Sequence, residues 1–308
     1  MCVTDHVTDQ SCLTTEQRNP RSTGLDQMST MQILRLINEE DRLIPLAVGE
    51  ALPRIAEAVD LIVEKLLRGG SVVYVGAGTS GRLGVLDAAE CQPTFGVGPE
   101  TISAIIAGGR EAVFHAIEES EDDEESGERC ISEFATPMHV IVGISASGVT
   151  PYVRGALRAA RSLGAATVAI VCNQVENLGL DVDVVIPLIV GPEVLTGSTR
   201  MKAGTAQKLV LNMLSTASMV KLGKVYDNLM VDMRPMNNKL RARAIRIISM
   251  ATGLDLEQSS ALLERGGGNT KAALVMALAG VGYPEAAKAL GRARGHVRTA
   301  VELAREGR

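Results

Sequence analysis

Two short loops, Gly76-Ala77-Gly78-Thr79-Ser80-Gly81-Arg82 and Ser145-Ala146-Ser147-Gly148, each follow a β-branched run, Ser71–Val75 and His139–Ile144. A strand that runs into small and hydroxyl residues and then a helix is the unit from which parallel α/β sheets are built. Both loops carry the chemistry of a phosphate cradle. Glycine lets backbone N–H groups approach an anion, Ser and Thr add donors without charge, and the following helix presents its positive end. Two such loops suggest one phosphorylated ligand gripped from two strands. The plain alternative is a pair of strand-to-helix turns with no ligand.

Gly76, Gly78 and Gly81 also fit G-x-G-x-x-G, the dinucleotide fingerprint. That site needs a second strand ending in an acidic residue about 20 residues on, to hold the ribose hydroxyls. Here Leu83 to Pro93 reads as a helix, broken at the proline, with Glu90 in its last turn. A dinucleotide site also leaves the second hydroxyl loop unexplained, so a sugar-phosphate-like monophosphate fits better.

Further strands are expected at Ile102–Ala107, Thr167–Val171 and Asp183–Leu188, and helices at Gly81–Ala89, Glu111–Glu119, Pro151–Leu163 and Ala203–Leu222. Strands alternating with helices predict a doubly wound parallel sheet flanked by helices. Residues 1–28 read as a polar arm, 29–239 as the α/β domain with its N-terminal helices, and 240–308, without strand pattern, as a small helical bundle.

With a formal net charge of −5, 2% aromatics, no tryptophan and no basic stripe, the chain lacks the footprint of a nucleic-acid binder. Cys2, Cys12, Cys91, Cys130 and Cys172 are scattered and odd in number, which points to reduced thiols in the cytoplasm. Met1–Gln10 has no apolar run of the signal-peptide kind, and Ala272–Tyr283 is too short to cross a bilayer, so no membrane partner is expected.

Longer motifs in a fixed order narrow the reading. Gly-Ala-Gly-Thr-Ser-Gly-Arg-Leu at 76–83, Leu-Asp-Ala-Ala-Glu-Cys at 86–91, Ile-Ala-Gly-Gly at 106–109 and Gly-Ser-Thr-Arg-Met-Lys-Ala-Gly-Thr-Ala-Gln-Lys at 197–208 closely resemble the N-acetylmuramic acid 6-phosphate etherases. Leu13-Thr14-Thr15-Glu16, Asn19-Pro20 and Asn228-Leu229-Met230-Val231-Asp232 agree with that resemblance, which covers nearly the whole chain. It implies a sugar isomerase-type α/β domain with a tail similar to ubiquitin-associated bundles, acting as a homodimer on an amino-sugar phosphate. The implied reaction removes D-lactate from C3 of N-acetylmuramic acid 6-phosphate and leaves N-acetylglucosamine 6-phosphate.

The chemistry can be built from that substrate. An ether oxygen is a poor leaving group, but ring opening makes C1 an aldehyde and C2 acidic, so lactate can leave by elimination across C2–C3 before water adds at C3. One base and one acid suffice, and two carboxylates with separated pKa values can fill both roles without metal or organic cofactor. Glu90 and Glu121 occupy the positions of the family's catalytic pair. Glu90 ends an apolar run, and partial burial there would keep it protonated as the acid; otherwise it is a solvated residue near a helix end. Glu121 lies in the acidic run Glu118–Glu125, ordinarily a solvated face, where neighbouring carboxylates would raise one another's pKa and strengthen a base. The expected ligand contacts are Gly78, Thr79, Ser80 and Gly81 in the first loop and Ser145, Ser147, Gly148 and Thr150 at the second.

If the first helix runs unbroken from Gly81, Glu90 lies roughly 13 Å beyond its start, a span a hexose 6-phosphate barely covers. Either that helix is short or Glu90 meets a sugar held by the other subunit. Ser198 and Thr199 are expected to cap the helix from Ala203 or to touch the ligand, His115 to be a packed or surface residue, and Lys202 and Lys208 to face solvent. Two departures stand out. The family's Arg-Thr-Pro-Tyr is Val149-Thr150-Pro151-Tyr152 here, which removes a positive charge, and its Cys-Pro-Pro-Thr is Cys91-Gln92-Pro93-Thr94. The rival readings are a non-catalytic sugar-phosphate regulator similar to the glucokinase regulatory protein, which is about twice as long, and an aldose-ketose isomerase of the same fold.

Overall fold

The computed structural model describes residues 13–233 and 238–307. The readings of Met1–Gln10, Cys2 and Cys12 lie outside them; the three described cysteines are free thiols.

After short 3₁₀ turns between Thr14 and Gln27 come α1 (Thr30–Asp41), α2 (Ile44–Glu50) and α3 (Leu52–Leu67). The alternating part follows: β1 (Ser71–Gly76), α4 (Gly78–Phe95), β2 (Ile102–Ile106), α5 (Glu124–Ser132), β3 (His139–Ile144), α6 (Pro151–Ser162), β4 (Ala166–Val171), β5 (Val184–Pro187) and α7 (Lys202–Lys221). A two-residue hairpin, β6 (Val225–Tyr226) with β7 (Leu229–Met230), precedes α8 (Asn238–Thr252), α9 (Leu256–Arg265), α10 (Thr270–Ala279), α11 (Tyr283–Arg292) and α12 (Val297–Glu306).

The five strands β1–β5 form one parallel sheet in the order β2-β1-β3-β4-β5. This is the doubly wound architecture the alternation predicts. Strands β1, β3 and β4 are buried almost throughout, as strands covered on both faces must be, which is why they read as continuous apolar runs. Alternation of side chains assigns the covers: Val73, Val75 and Ile141 share a core with Tyr152, Val153, Ala156 and Leu157 of α6, whereas Tyr74, on the other face, donates its hydroxyl to Asp87 of α4 at 3.1 Å.

Three expectations need correction. Helix α4 does not break at Pro93; it continues to Phe95. The proline lies within the last turn, where its missing N–H and its clash with the preceding turn affect little helix. The segment expected as one helix over Glu111–Glu119 is two 3₁₀ turns, Gly109–Val113 and Glu118–Glu121. The acidic run itself initiates a helix, because Asp123 caps α5 by accepting from the Ser126 N–H at 2.8 Å and the Ser126 hydroxyl at 2.7 Å.

By compactness one unit runs to Ala88 and resumes over Glu100–Ser215, and the other comprises Ala89–Pro99 and the chain from Thr216 onwards. Within the second unit, Ile247, Ile248, Leu263, Leu274, Val275, Ala286 and Val301 from α8–α12 form one core, with Tyr226 and Leu229 of the hairpin against it.

Candidate active site

Strand order places the site. β1 and β3 are neighbours with Gly76 opposite Ile144, so the two loops leave the sheet side by side. Their helices then depart to opposite faces, which is the topological switch point where open α/β sheets bind ligands. A cleft of about 700 Å³ opens there, within the range of small-molecule sites.

The second loop is built around three hydroxyls. Ser145 Oγ lies 2.8 Å from Thr150 Oγ1 and 3.4 Å from Ser147 Oγ, and the Ser147–Thr150 separation is 3.5 Å. Thr150 occupies the N-cap position of α6, yet its hydroxyl bonds within this cluster and does not cap the helix. The N–H of Gly148 donates to Ser145 Oγ at 3.0 Å, and the N–H of Val149 to Ser147 Oγ at 3.2 Å. Beneath them the buried Asn173 amide donates to the carbonyls of Ala146 and Ser147 at 3.2 and 3.0 Å and to Thr15 Oγ1 at 3.2 Å, fixing the loop from behind. Neutral hydroxyls at the start of a helix suit a phosphate group.

Glu121 enters from the 3₁₀ turn Glu118–Glu121. Its Oε1 sits over Gly78, so close that a Cβ added there would lie 2.6 Å from it. The carboxyl is half-buried, and burial first, then Asp122 and Glu118, raise its pKa against the opposing charge of Arg82. Arg82 donates from Nε to the Val113 carbonyl at 3.1 Å and from Nη2 to the His115 carbonyl at 2.8 Å, which anchors the segment leading to Glu121. A carboxyl of raised pKa in a cleft beside a hydroxyl-lined loop has the chemistry of a proton acceptor.

Seven of the ten expected site residues line this cleft: Gly78, Thr79, Ser80, Ser145, Ser147, Thr150 and Glu121. Three do not. Gly81 packs α4 on the sheet, since a Cβ there would meet Ile106 Cγ1 at 2.6 Å and the Gly76 carbonyl oxygen at 2.7 Å. Gly148, with φ +78°, makes the turn that aligns the hydroxyls. Glu90 is exposed on α4, roughly 18 Å along an unbroken helix from Gly78, so the burial expected for it is absent in the single chain. Ser80 is on the wall, but its hydroxyl donates to Gln207 Oε1 at 2.9 Å.

The far rim also departs from expectation. Neither Ser198 nor Thr199 caps α7. The buried Glu193 carboxylate does, accepting from the N–H groups of Lys202 and Ala203 at 2.9 and 3.0 Å, while Thr199 lines the cleft. Lys202 is buried, not solvated, and its Nζ meets Glu40 Oε2 at 2.6 Å. Glu40 also accepts from Asn19 at 2.9 Å and Arg21 at 2.7 Å, tying the N-terminal turns and α1 to the loop before α7. His115 and Lys208 are exposed, as read. Glu16, Arg82 and Arg200 line the cleft without having been singled out, although each lies in a motif that carried the resemblance.

Residues 54–161 match the family model "Glucokinase regulatory protein N-terminal SIS domain". The chain is 51% identical to an N-acetylmuramic acid 6-phosphate etherase of Caldanaerobacter subterraneus over 94% of its own length and 95% of that protein's. It belongs to the N-acetylmuramic acid 6-phosphate etherase family. Etherases of Symbiobacterium thermophilum, 55% identical over 87% of this chain and 90% of theirs, and of Mesorhizobium japonicum, 48% identical over 97% and 98%, agree. Coverage that complete accounts for the C-terminal helices as well as the α/β part.

Proposed function

We propose that this protein is a carbon–oxygen lyase that cleaves the D-lactyl ether of N-acetylmuramic acid 6-phosphate to N-acetylglucosamine 6-phosphate and D-lactate. One observation carries the reading: the hydroxyl cluster of Ser145, Ser147 and Thr150 and the raised-pKa carboxyl of Glu121 over Gly78 share one cleft, in a chain about half identical to etherases along their length.

The cradle holds the phosphate and the sugar binds as the open-chain aldehyde. Glu121 takes the C2 proton, electrons move into C2=C3, and the C3–O bond breaks as the departing oxygen receives a proton from Glu90. Glu90, now a carboxylate, takes a proton from water as its OH adds at C3, and Glu121, its proton exchanged with solvent, returns one to C2. Product formed in labelled water should therefore carry solvent oxygen at C3 and solvent deuterium at C2, with one lactate per sugar. A ketose product without lactate would replace the reading with an aldose-ketose isomerase, and binding without turnover would replace it with a regulator.

Glu90 acts from the partner subunit of a homodimer. Its position well down α4, and the exposed apolar side chains Met31, Leu34, Leu46 and Leu52 on α1–α3, support a surface covered by a second copy. Mixing subunits tests this. Glu90→Gln and Glu121→Gln homodimers should each be impaired, but in a hybrid one of the two sites would combine Glu121 of one subunit with Glu90 of the other. A random mixture should then regain about a quarter of wild-type activity, since about half the dimers are hybrids with one intact site each. No recovery in verified hybrids would place both carboxylates in one subunit.

Val149 lines the cleft where the family carries arginine. Val149→Arg should lower KM about 10-fold or more with little change in kcat, because a phosphate contact is made equally in ground and transition states. An unchanged or raised KM would make Val149 a packing residue and leave the hydroxyls to hold phosphate alone.

A further inference from the structure

We infer that Arg200 recognises the carboxylate of the lactyl group and so selects the ether-bearing sugar over the same sugar without it. The assignment rests on the reading above and concerns how that substrate is told apart from its product.

The cleft is short of positive charge. Glu16, Glu118, Glu121 and Asp122 line it against two cations, Arg82 and Arg200. The substrate brings two anionic ends, a phosphate and a carboxylate, into that field. The hydroxyl cradle can take one of them without any charge of its own. The other needs a cation. Arg82 is committed, since Nε and Nη2 hold the Val113 and His115 carbonyls and its charge faces Glu121. Arg200 makes no hydrogen bond or ion pair among the described residues, so its whole donor fork is available.

Its backbone is nevertheless held. Lys202 and Ala203, two and three positions after it, donate their N–H groups to the buried Glu193, and Lys202 Nζ is anchored on Glu40. A free guanidinium on a fixed loop is prepared for a planar anion, which it binds through two parallel N–H···O bonds; an ammonium offers no matching fork. The lactyl carboxylate has that shape. The carboxylate keeps its charge as the C3–O bond breaks, so the contact should act on binding more than on the chemical step.

Arg200→Met and Arg200→Lys test the assignment, with N-acetylglucosamine 6-phosphate as the reference ligand because it keeps the phosphate and lacks the carboxylate. Arg200→Met should raise KM for the muramic substrate about 10- to 100-fold, leave kcat within a few-fold, and leave inhibition by N-acetylglucosamine 6-phosphate unchanged. Arg200→Lys should recover only part of the loss. A substrate analogue with the carboxylate replaced by a carboxamide should be poor for the wild type, and Arg200→Met should no longer distinguish it from the natural substrate. Equal weakening of both sugar phosphates in Arg200→Met would overturn the assignment and move Arg200 to the phosphate. Absence of lactate release by the wild-type enzyme would overturn the etherase reading and this assignment together.

Discussion

Glu121→Gln should reduce lactate release about 10³- to 10⁴-fold and abolish exchange of the C2 proton with solvent deuterium to the same extent. The amide keeps the shape over Gly78 and removes only the ability to accept the proton, so sugar-phosphate binding should persist. Both readouts must fall together because both begin with that proton. Ordinary exchange in a variant that releases no lactate would make Glu121 the acid and not the base. The pH profile has a defined sign. Burial and the neighbouring Asp122 and Glu118 raise the Glu121 pKa, and a base works only when deprotonated. Activity should therefore fall as pH drops through that raised value, beginning at a higher pH than for an ordinary glutamate. Neutralising a neighbour, as in Asp122→Asn, should shift this acidic limb downward.

Lys202→Met should cost about 3–5 kcal/mol of stability, the range for removing one partner of a buried ion pair. Lys202 and Glu40 are almost completely enclosed at 2.6 Å, and the substitution leaves the carboxylate with Asn19 and the half-exposed Arg21. Chemical denaturation should show the loss directly. The double variant Glu40→Gln, Lys202→Met should recover most of it, because two neutral groups leave no stranded charge. Burial alone would raise the Glu40 pKa, but Lys202, Asn19 and Arg21 together hold it below the ordinary value. A depressed carboxylate stabilises above its unfolded pKa and loses that contribution as pH falls through the folded one. The gap between wild type and Lys202→Met should accordingly narrow in acid. A loss under 1 kcal/mol at neutral pH would show that the pair is replaceable by solvent.

The sheet was legible because Ser71–Val75, His139–Ile144 and Thr167–Val171 are apolar on both faces, a pattern that only a doubly covered strand needs. The two loops were legible as strand-to-helix connections because glycines and hydroxyls directly follow each apolar run, and the pairing of β1 with β3 brings them to one cleft. Lys202 was misread because a lysine advertises solvent, and nothing local reveals that Glu40, 162 positions away, waits inside. Glu193 was missed as the cap of α7 because it lies nine residues upstream, beyond any capping rule that counts from the helix start. Gly81 and Gly148 do not line the cleft and have packing and turn roles that the sequence does not separate from ligand contact, since a glycine needed for packing or a turn looks in sequence like one needed for a ligand. Arg200 was passed over because its meaning depends on what the other arginine is already doing.

The hydroxyl cradle has a kinetic consequence. Substrate and product of the proposed reaction carry the same phosphate, so the cluster of Ser145, Ser147 and Thr150, in its proposed role, would hold both with equal strength. Such a handle cannot favour turnover in either direction. It also makes the spent sugar a competitor for its own precursor, with throughput at high conversion limited by how fast the product is carried away.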